Sequence, residues 1–518
     1  MDDNRRAAPD FRTTGGPVRG RWVADDVVAA LGIPYAAPPF GPHRFHAPRP
    51  APAWDGVRDA TAFGPVAPQS AELPGAPVWR PGDEDVLTVN VWAPRPAAGP
   101  MPVLFWIHGG AYVMGSSAQP DHDGAALARA GLVVVTANYR LGFEGFGRVP
   151  GLPDNRGLLD QAAALRWVRD NIAAFGGDPA NVTVAGHSSG AGSAVCLMAS
   201  EHARGLFRRV IAHSVPHAFH TPAQAAATTG RIAAAAGVPA TAEGLIAASP
   251  RDLVAAVDAV AAQYAADPVT PVQAYDPVVF QPVLDGRVLP ADPLAALAAA
   301  RARDVDLLVC RADEECWFLH EVGAVRPVRT EPELASFVRA LGLPDHLLAA
   351  YAEDLPGAPV LDRYLALFGD ARFGEYGARL AEAHARAGGR AHLARFARDR
   401  TADGRAVRPW HTADVPFAFG NLDAHGAAFL IGGAPDEQDH ALSRRMRGAW
   451  AGFAACGDPG WPAVTADASP VRVWATPDDG LADDATSEVR ARWRTVPFAD
   501  GSGPGRDKPV GAGGPAPA

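Results

Sequence analysis

The chain contains no uninterrupted apolar run approaching 20 residues, which excludes a membrane-spanning helix of ordinary length. It also lacks an excess of positive charge. With Lys+Arg 47 against Asp+Glu 57 the formal net charge is −10, and Lys508 is the visible exception among cations that are otherwise arginine. A balance of this sign provides no basic field to hold nucleic acid or an anionic lipid surface. Cysteine is scarce: Cys196, Cys310, Cys316 and Cys456 are scattered without metal-ligand spacing, so no metal site is expected from them. Cys196 and Cys310 lie in apolar contexts that suit buried free thiols. No apolar segment follows Met1-Asp2-Asp3-Asn4-Arg5-Arg6, so no secretory signal is apparent and a cytoplasmic, reducing location is the default expectation.

What the chain does have is material for a large core, with 48% hydrophobic residues over 518 positions. Large α/β enzymes reach this length around one extended sheet with insertions. Strand patterns run over residues 83–92, 102–107, 132–137, 208–213, 304–310 and 390–397, alternating with helical patterns that include residues 159–175 and 441–455. That alternation predicts a large, mostly parallel central sheet with helices on both faces. Helical insertions are expected at about 220–300 and 325–390, the second forming a cap region, and all of residues 13–500 belong to one domain. Residues 1–12 are polar and expected to be disordered. The Gly/Pro/Ala tail 501–518 lacks the hydrophobic content to pack.

Chemistry centres on Asn181-Val182-Thr183-Val184-Ala185-Gly186-His187-Ser188-Ser189-Gly190. A β-branched run ends at Gly186, a helix pattern begins just after Ser188, and a G-x-S-x-G turn between them projects a serine hydroxyl above the sheet. The pattern alone recurs by accident in glycine-rich chains, and a glycine-flanked serine also serves as a helix cap. Context favours a nucleophile. Acyl transfer needs in addition donors for an oxyanion, a base, and a group to orient the base. Trp106-Ile107-His108-Gly109-Gly110-Ala111-Tyr112 leaves a predicted strand on small residues, and supplies Gly110 and Ala111 as amide donors, with the Ser189 amide as a third. Among the histidines beyond the acid, His411 stands before Asp414-Val415-Pro416-Phe417-Ala418-Phe419-Gly420, an apolar anchor able to hold an imidazole still; most of the others read as surface residues. For the acid, Asp313-Glu314-Glu315 follows a buried strand, and residue chemistry does not choose among the three.

A long ordered set of segments resembles the type-B carboxylesterases, the cholinesterase-like branch of the α/β-hydrolase fold, over roughly residues 14–495. The set comprises GIPYAAPPFGPHRF at 32–45, EDVLTVNVWAP at 84–94, WIHGGAY at 106–112, NYRLGFEGF at 138–146, and GLLDQAAALRWVRDNIAAFGGDPANVTVAGHSSGAG at 157–192. By that similarity Glu314 is the acid and His411 the base of a Ser-His-Glu triad with Ser188, and ion pairs Arg44–Glu84 and Arg140–Asp160 are implied. The resemblance implies hydrolysis of a small-molecule carboxylic ester through an acyl-enzyme, with no cofactor and no metal. It leaves the oligomeric state open. Cleavage of an amide, carbamate, thioester or lactone is the rival within enzymes, and a non-catalytic adhesion or scaffolding role is the rival outside them. The chain departs from the family at His187, Ser189, Ala191 and Glu315, where Glu, Ala, Gly and Gly are usual, and at Ala67 and Val86, where an early disulfide is common.

Overall fold

The computed structural model describes residues 8–70, 78–95, 99–266, 271–276, 278–398, 400–402 and 405–498. The expected tail at 501–518 and the first seven residues of the expected N-terminal segment lie outside these. The rest of that segment is not disordered: Asp10–Thr13 is a strand paired antiparallel with Gly16–Arg19, and Phe11 is buried against Phe175 with ring centroids 4.4 Å apart.

The organising element is a mixed sheet of eleven strands among the described residues. In chain order these are β1 (Arg21–Ala24), β2 (Val27–Pro34), β3 (Thr88–Pro94), β4 (Met101–Ile107), β5 (Val133–Ala137), β6 (Gly177–His187), β7 (Arg209–His213), β8 (Asp306–Ala312), β9 (Ala391–Phe396), β10 (Pro470–Trp474) and β11 (Gly480–Asp483). Their spatial order is β11-β10-β9-β8-β7-β6-β4-β5-β3-β2-β1. From β5 through β10 the pairing is parallel, and antiparallel strands finish both sides. The central strands read as continuous apolar runs because helices cover both faces, and their residues alternate between two separate cores. Phe105 and Val184 belong to one core, Leu104, Trp106 and Ala185 to the other.

Register brings the carboxyl ends of these strands into line. Ile107 pairs with Gly186, Gly186 with Ala212, and Ala212 with Val309. The chain proceeds from β4 to β5 on one side, then returns to place β6 on the other side of β4. That reversal opens a crevice at the carboxyl edge, where open α/β sheets bind ligands.

Between the strands lie the helices Pro222–Ala235, Ala242–Ala247, Pro250–Ala266 and Pro293–Ala298, then Glu331–Ala340, His346–Asp354, Val360–Gly369 and Glu375–Arg386. Cys196, Cys310 and Cys316 are buried free thiols, and Cys456 is exposed. No helix among the described residues is long and apolar enough to cross a membrane.

Of the two expected ion pairs, Arg140–Asp160 is present. Its two bonds, Nε to Oδ2 and Nη2 to Oδ1, are both 2.7 Å, and neither side chain is exposed. Asp160 also accepts the Arg140 amide, and Arg140 Nη1 donates to the His46 carbonyl, so the buried charges are fully bonded. Replacing Asp160 by Asn is expected to destabilise the fold by about 3–5 kcal/mol, because a buried guanidinium is left without its counter-charge; urea unfolding measures it. Arg44 does not pair with Glu84, which is exposed. Its partner is Glu144, at 2.6 Å, on the short helix Gly142–Phe146, and Arg44 also donates to the Ile246 and Ala248 carbonyls.

Candidate active site

Ser188 occupies the turn between β6 and the helix Ser189–Ala199 with φ 55 and ψ −125, a backbone conformation that costs a residue with a Cβ roughly 1–3 kcal/mol. The strain persists because the turn is held from every side. The Ser188 N–H donates to the His213 carbonyl at 2.9 Å, and the Ser188 carbonyl accepts from the Gly192 N–H at 2.9 Å. A Cβ on Gly190 would stand 2.1 Å from the Ile107 oxygen, and one on Gly186 would stand 2.5 Å from the Gly190 backbone. Both flanking glycines are therefore steric requirements of the turn. Gly190→Ala is expected to lower stability by about 1–3 kcal/mol and to reduce turnover, since relief of the clash displaces Ser188; thermal unfolding and ester assays read the two effects. Ser188 is partly exposed, whereas its neighbours Gly186, His187, Ser189 and Gly190 are buried.

The glycine loop leaves β4 directly beside this turn. An added Cβ on Gly109 would lie 3.2 Å from the Ser188 Cβ. Gly110 has φ 114 and Ala111 φ 51, so the backbone doubles back, closed by the Val113 and Met114 N–H groups on the Gly110 carbonyl at 2.9 and 3.1 Å. At Gly110 even the smallest side chain would meet the Met114 oxygen at 2.1 Å. The Tyr139 hydroxyl fixes the start of the loop by donating to the His108 carbonyl at 2.8 Å. Among the described residues no acceptor is bonded to the Gly110 or Ala111 N–H. The Ser189 N–H opens a helix, where the first N–H groups lack intrahelical acceptors.

His411 is 4% exposed, and its Nδ1 lies 2.6 Å from Oε2 of Glu315. This corrects the sequence expectation, which assigned Glu314 to that role. Glu314 Oε2 instead accepts from Arg408 Nη1 at 2.8 Å, with side chains 35% and 31% exposed. The three adjacent acids diverge because β8 stops at Ala312 and a helix starts at Glu315, with Glu314 as the cap residue at φ −126 and ψ 51. Asp313 faces Arg395 at 3.4 Å, Glu314 turns to the Arg408 side, and Glu315, the first helical residue, turns inward. Its other oxygen, Oε1, accepts from the Ser214 hydroxyl at 2.7 Å and from the Ala312 N–H at 2.9 Å. A carboxylate with both oxygens bonded in this way is held in one orientation, and it fixes the imidazole with Nδ1 toward the acid and Nε2 free to face a substrate.

Several neighbours were not read from sequence. Ser214, at φ 53, follows β7 on the same sheet edge as Ser188; a polar residue just past a buried strand was the available signal. The His187 ring lies 4.4 Å from that of His411 and the Phe373 ring 4.7 Å from it. Burial, and then the neighbouring His411, hold His187 well below the usual imidazole range, so this residue presents a neutral ring where the family usually has a carboxylate. Phe373 sits in a π-helical turn, Asp370–Gly374, of a kind often found at functional sites. Behind His411, the Asp414 carboxylate meets His213 Nδ1 at 2.5 Å and the Trp450 indole N–H faces His213 Nε2 at 3.2 Å, anchoring the segment that follows His411. Of the other histidines that follow the acidic triplet, His384 and His392 are buried, and burial lowers the pKa of each.

A mixed sheet with a strained serine elbow at its switch point, a glycine loop beside it and a buried His–Glu pair on the same edge defines an α/β-hydrolase. The sequence model of the Carboxylesterase family matches residues 7–478. The chain belongs to that family and is a carboxylic ester hydrolase. It is 36% identical over 450 residues to the para-nitrobenzyl esterase of Bacillus subtilis (strain 168), covering 84% of this chain and 87% of that one. It is 33% identical over 478 residues to the phenmedipham hydrolase of Pseudarthrobacter oxydans, covering 89% and 93%. Among solved structures, carboxylesterase EST55 of Geobacillus stearothermophilus superimposes with a TM-score of 0.79 at 34% identity, covering 94% of this chain and 100% of that one.

Proposed function

We propose that the protein hydrolyses carboxylic esters through an acyl-enzyme on Ser188, with His411 as general base and acid and Glu315 as the group that orients it. The Ser188 Oγ attacks the ester carbonyl carbon while His411 Nε2 takes its proton. The carbonyl oxygen, now negative, receives hydrogen bonds from the Gly110, Ala111 and Ser189 amides. Collapse breaks the bond to the alcohol oxygen, which leaves with the proton from His411. Water then attacks the acyl-serine, giving its proton to His411, and the carboxylic acid departs as the proton returns to Ser188. Glu315 stabilises the transient imidazolium without taking its proton.

The observation that supports this reading best is the 2.6 Å contact between His411 Nδ1 and Glu315 Oε2 at the edge where the strained Ser188 turn stands. Fixed amides aimed at a developing oxyanion are worth about 100- to 1,000-fold in rate each, and the backward turn at Gly110 and Ala111 suits that task. The names of the two relatives, an esterase and a hydrolase, agree with the class. Comparison of kcat/KM for an ester with an amide, carbamate, thioester and lactone of the same acyl group tests it. The ester is expected to be turned over best; an amide or lactone turned over better would overturn the substrate assignment. A fluorophosphonate that fails to modify folded protein would favour a binding role instead.

A further inference from the structure

The glycine loop contains a Gly109–Gly110 peptide, and such a peptide has no Cβ on either side to bar its rotation. The Gly110 N–H shares a plane with the Gly109 carbonyl, so whatever fixes that carbonyl also aims the N–H. His108 Nδ1 lies 2.8 Å from the Gly109 oxygen. The oxygen can only accept, so Nδ1 carries the proton. Burial pulls the His108 pKa down to about 3, which keeps the ring neutral. Gly115, at φ 113, closes on both groups: an added Cβ there would stand 2.4 Å from His108 Nδ1 and 2.6 Å from the Gly109 oxygen. The place of Gly115 therefore sets the attitude of the Gly109–Gly110 peptide.

One buried side chain grips Gly115. Gln69 Oε1 accepts the Gly115 N–H at 2.8 Å, and Gln69 Nε2 donates to the Gly115 carbonyl at 3.0 Å and to the Ala67 carbonyl at 3.2 Å. An oxygen facing a donor and a nitrogen facing two acceptors leave the amide a single orientation, since the flipped group would set oxygen against two carbonyl oxygens. Packing does not share this task on the outer side of the turn. There a cavity of about 100 Å³ lies against Val113 and Met114, between Gln69 and the helix Pro250–Ala266. Nor does a cross-link share it. Ala67 stands where an early disulfide is common in the family, and the cysteines of this chain are free thiols.

Resting on the esterase reading above, we propose that Gln69 is a positioning residue for the oxyanion donors: it holds Gly115 so that the Gly109–Gly110 peptide keeps its N–H, and not its carbonyl, toward the substrate. Gln69 touches no reacting atom and acts through Gly115 alone. Without its three bonds the peptide rotates, and the Gly110 donor is misaimed for much of the time. Ser188, His411 and Glu315 make no bond to Gln69, so ground-state binding is kept and the loss falls on the transition state.

The test compares wild type with Gln69→Ala and Gln69→Glu on p-nitrophenyl butyrate, with turnover counted per serine labelled to completion by a fluorophosphonate. Gln69→Ala is expected to lower kcat about 10- to 100-fold with KM within about twofold, a misaimed donor costing less than a removed one. The inhibition constant of nonyl trifluoromethyl ketone, whose adduct on the serine carries the oxyanion, is expected to rise by the same factor. Gln69→Glu keeps an acceptor for the Gly115 N–H and loses the two donors, so it is expected to fall between wild type and Gln69→Ala. A lowered thermal midpoint in Gln69→Ala, with kcat per labelled serine and ketone affinity unchanged, would overturn the assignment. Hydrogen exchange in the peptide spanning residues 108–116 separates this idea from the esterase reading. Faster exchange in Gln69→Ala supports the grip on the loop even in a protein that hydrolyses no ester, and unchanged exchange contradicts it even in an active esterase.

Discussion

Exchange of Glu315 for Gln lowers kcat by about 10³- to 10⁴-fold, whereas exchange of Glu314 for Gln leaves it within about fivefold of wild type. The two side chains are adjacent and chemically identical, so the difference isolates position. Glutamine at 315 keeps the shape but removes the charge that faces His411 Nδ1 at 2.6 Å, and it presents an amide that favours the wrong imidazole tautomer. The Ser214 hydroxyl and Ala312 amide remain to orient the new side chain, so the fold is retained and the loss falls on kcat. At Glu314 the change breaks a pair with Arg408 whose side chains are about a third exposed, where ion pairs contribute little. Steady-state kinetics on p-nitrophenyl butyrate measures both. A collapse of activity in Glu314→Gln with Glu315→Gln unaffected would return the acid role to Glu314.

Replacement of Ser188 by Ala is expected to lower kcat by about 10⁶-fold while leaving the thermal midpoint close to wild type. In the proposed mechanism the hydroxyl is the atom that becomes acylated, with no neighbouring group to stand in for it. The turn survives because its hold on the backbone is made by the His213 carbonyl, the Gly192 N–H and the two flanking glycines, none of which involves the serine side chain. Residual turnover would come from the amide donors and binding alone. The measurement is burst and steady-state release of p-nitrophenol, with circular dichroism to verify folding.

The parts of the site that were legible in the sequence are those in which local backbone chemistry dictates residue type. G-x-S-x-G requires glycines because a Cβ at Gly190 has 2.1 Å of room, and the glycine loop requires small residues for the same reason at Gly110. The order of strands and helices was legible because period 2 and period 3.6 leave different apolar patterns. The carboxylate that faces His411 was misread because Asp313, Glu314 and Glu315 differ only by which way a strand-to-helix turn faces each, and that turn is set by tertiary contacts: the Glu314 amide on the Pro409 carbonyl and the His411 amide on the Glu315 carbonyl. The partner of Arg44 was missed for a related reason. Glu144 sits within the NYRLGFEGF segment, but only the placement of a five-residue helix against Arg44 distinguishes it from Glu84. Phe373 and the His187–His411 ring contact come from segments far apart in the chain and have no local pattern to reveal them, and the one signal at Ser214, a polar residue just past a buried strand, does not disclose its bond to Glu315.

The central claim is that the reaction passes through a covalent acyl group on one serine. Mixing the protein with p-nitrophenyl acetate, quenching in acid during the burst, and mapping the adduct by peptide mass spectrometry tests it directly. The expected result is a single acetyl group on Ser188, formed slowly in Glu315→Gln, at near wild-type rate in Glu314→Gln, and absent in Ser188→Ala. Acetylation of a different residue in step with turnover, or full hydrolysis by Ser188→Ala, would contradict it.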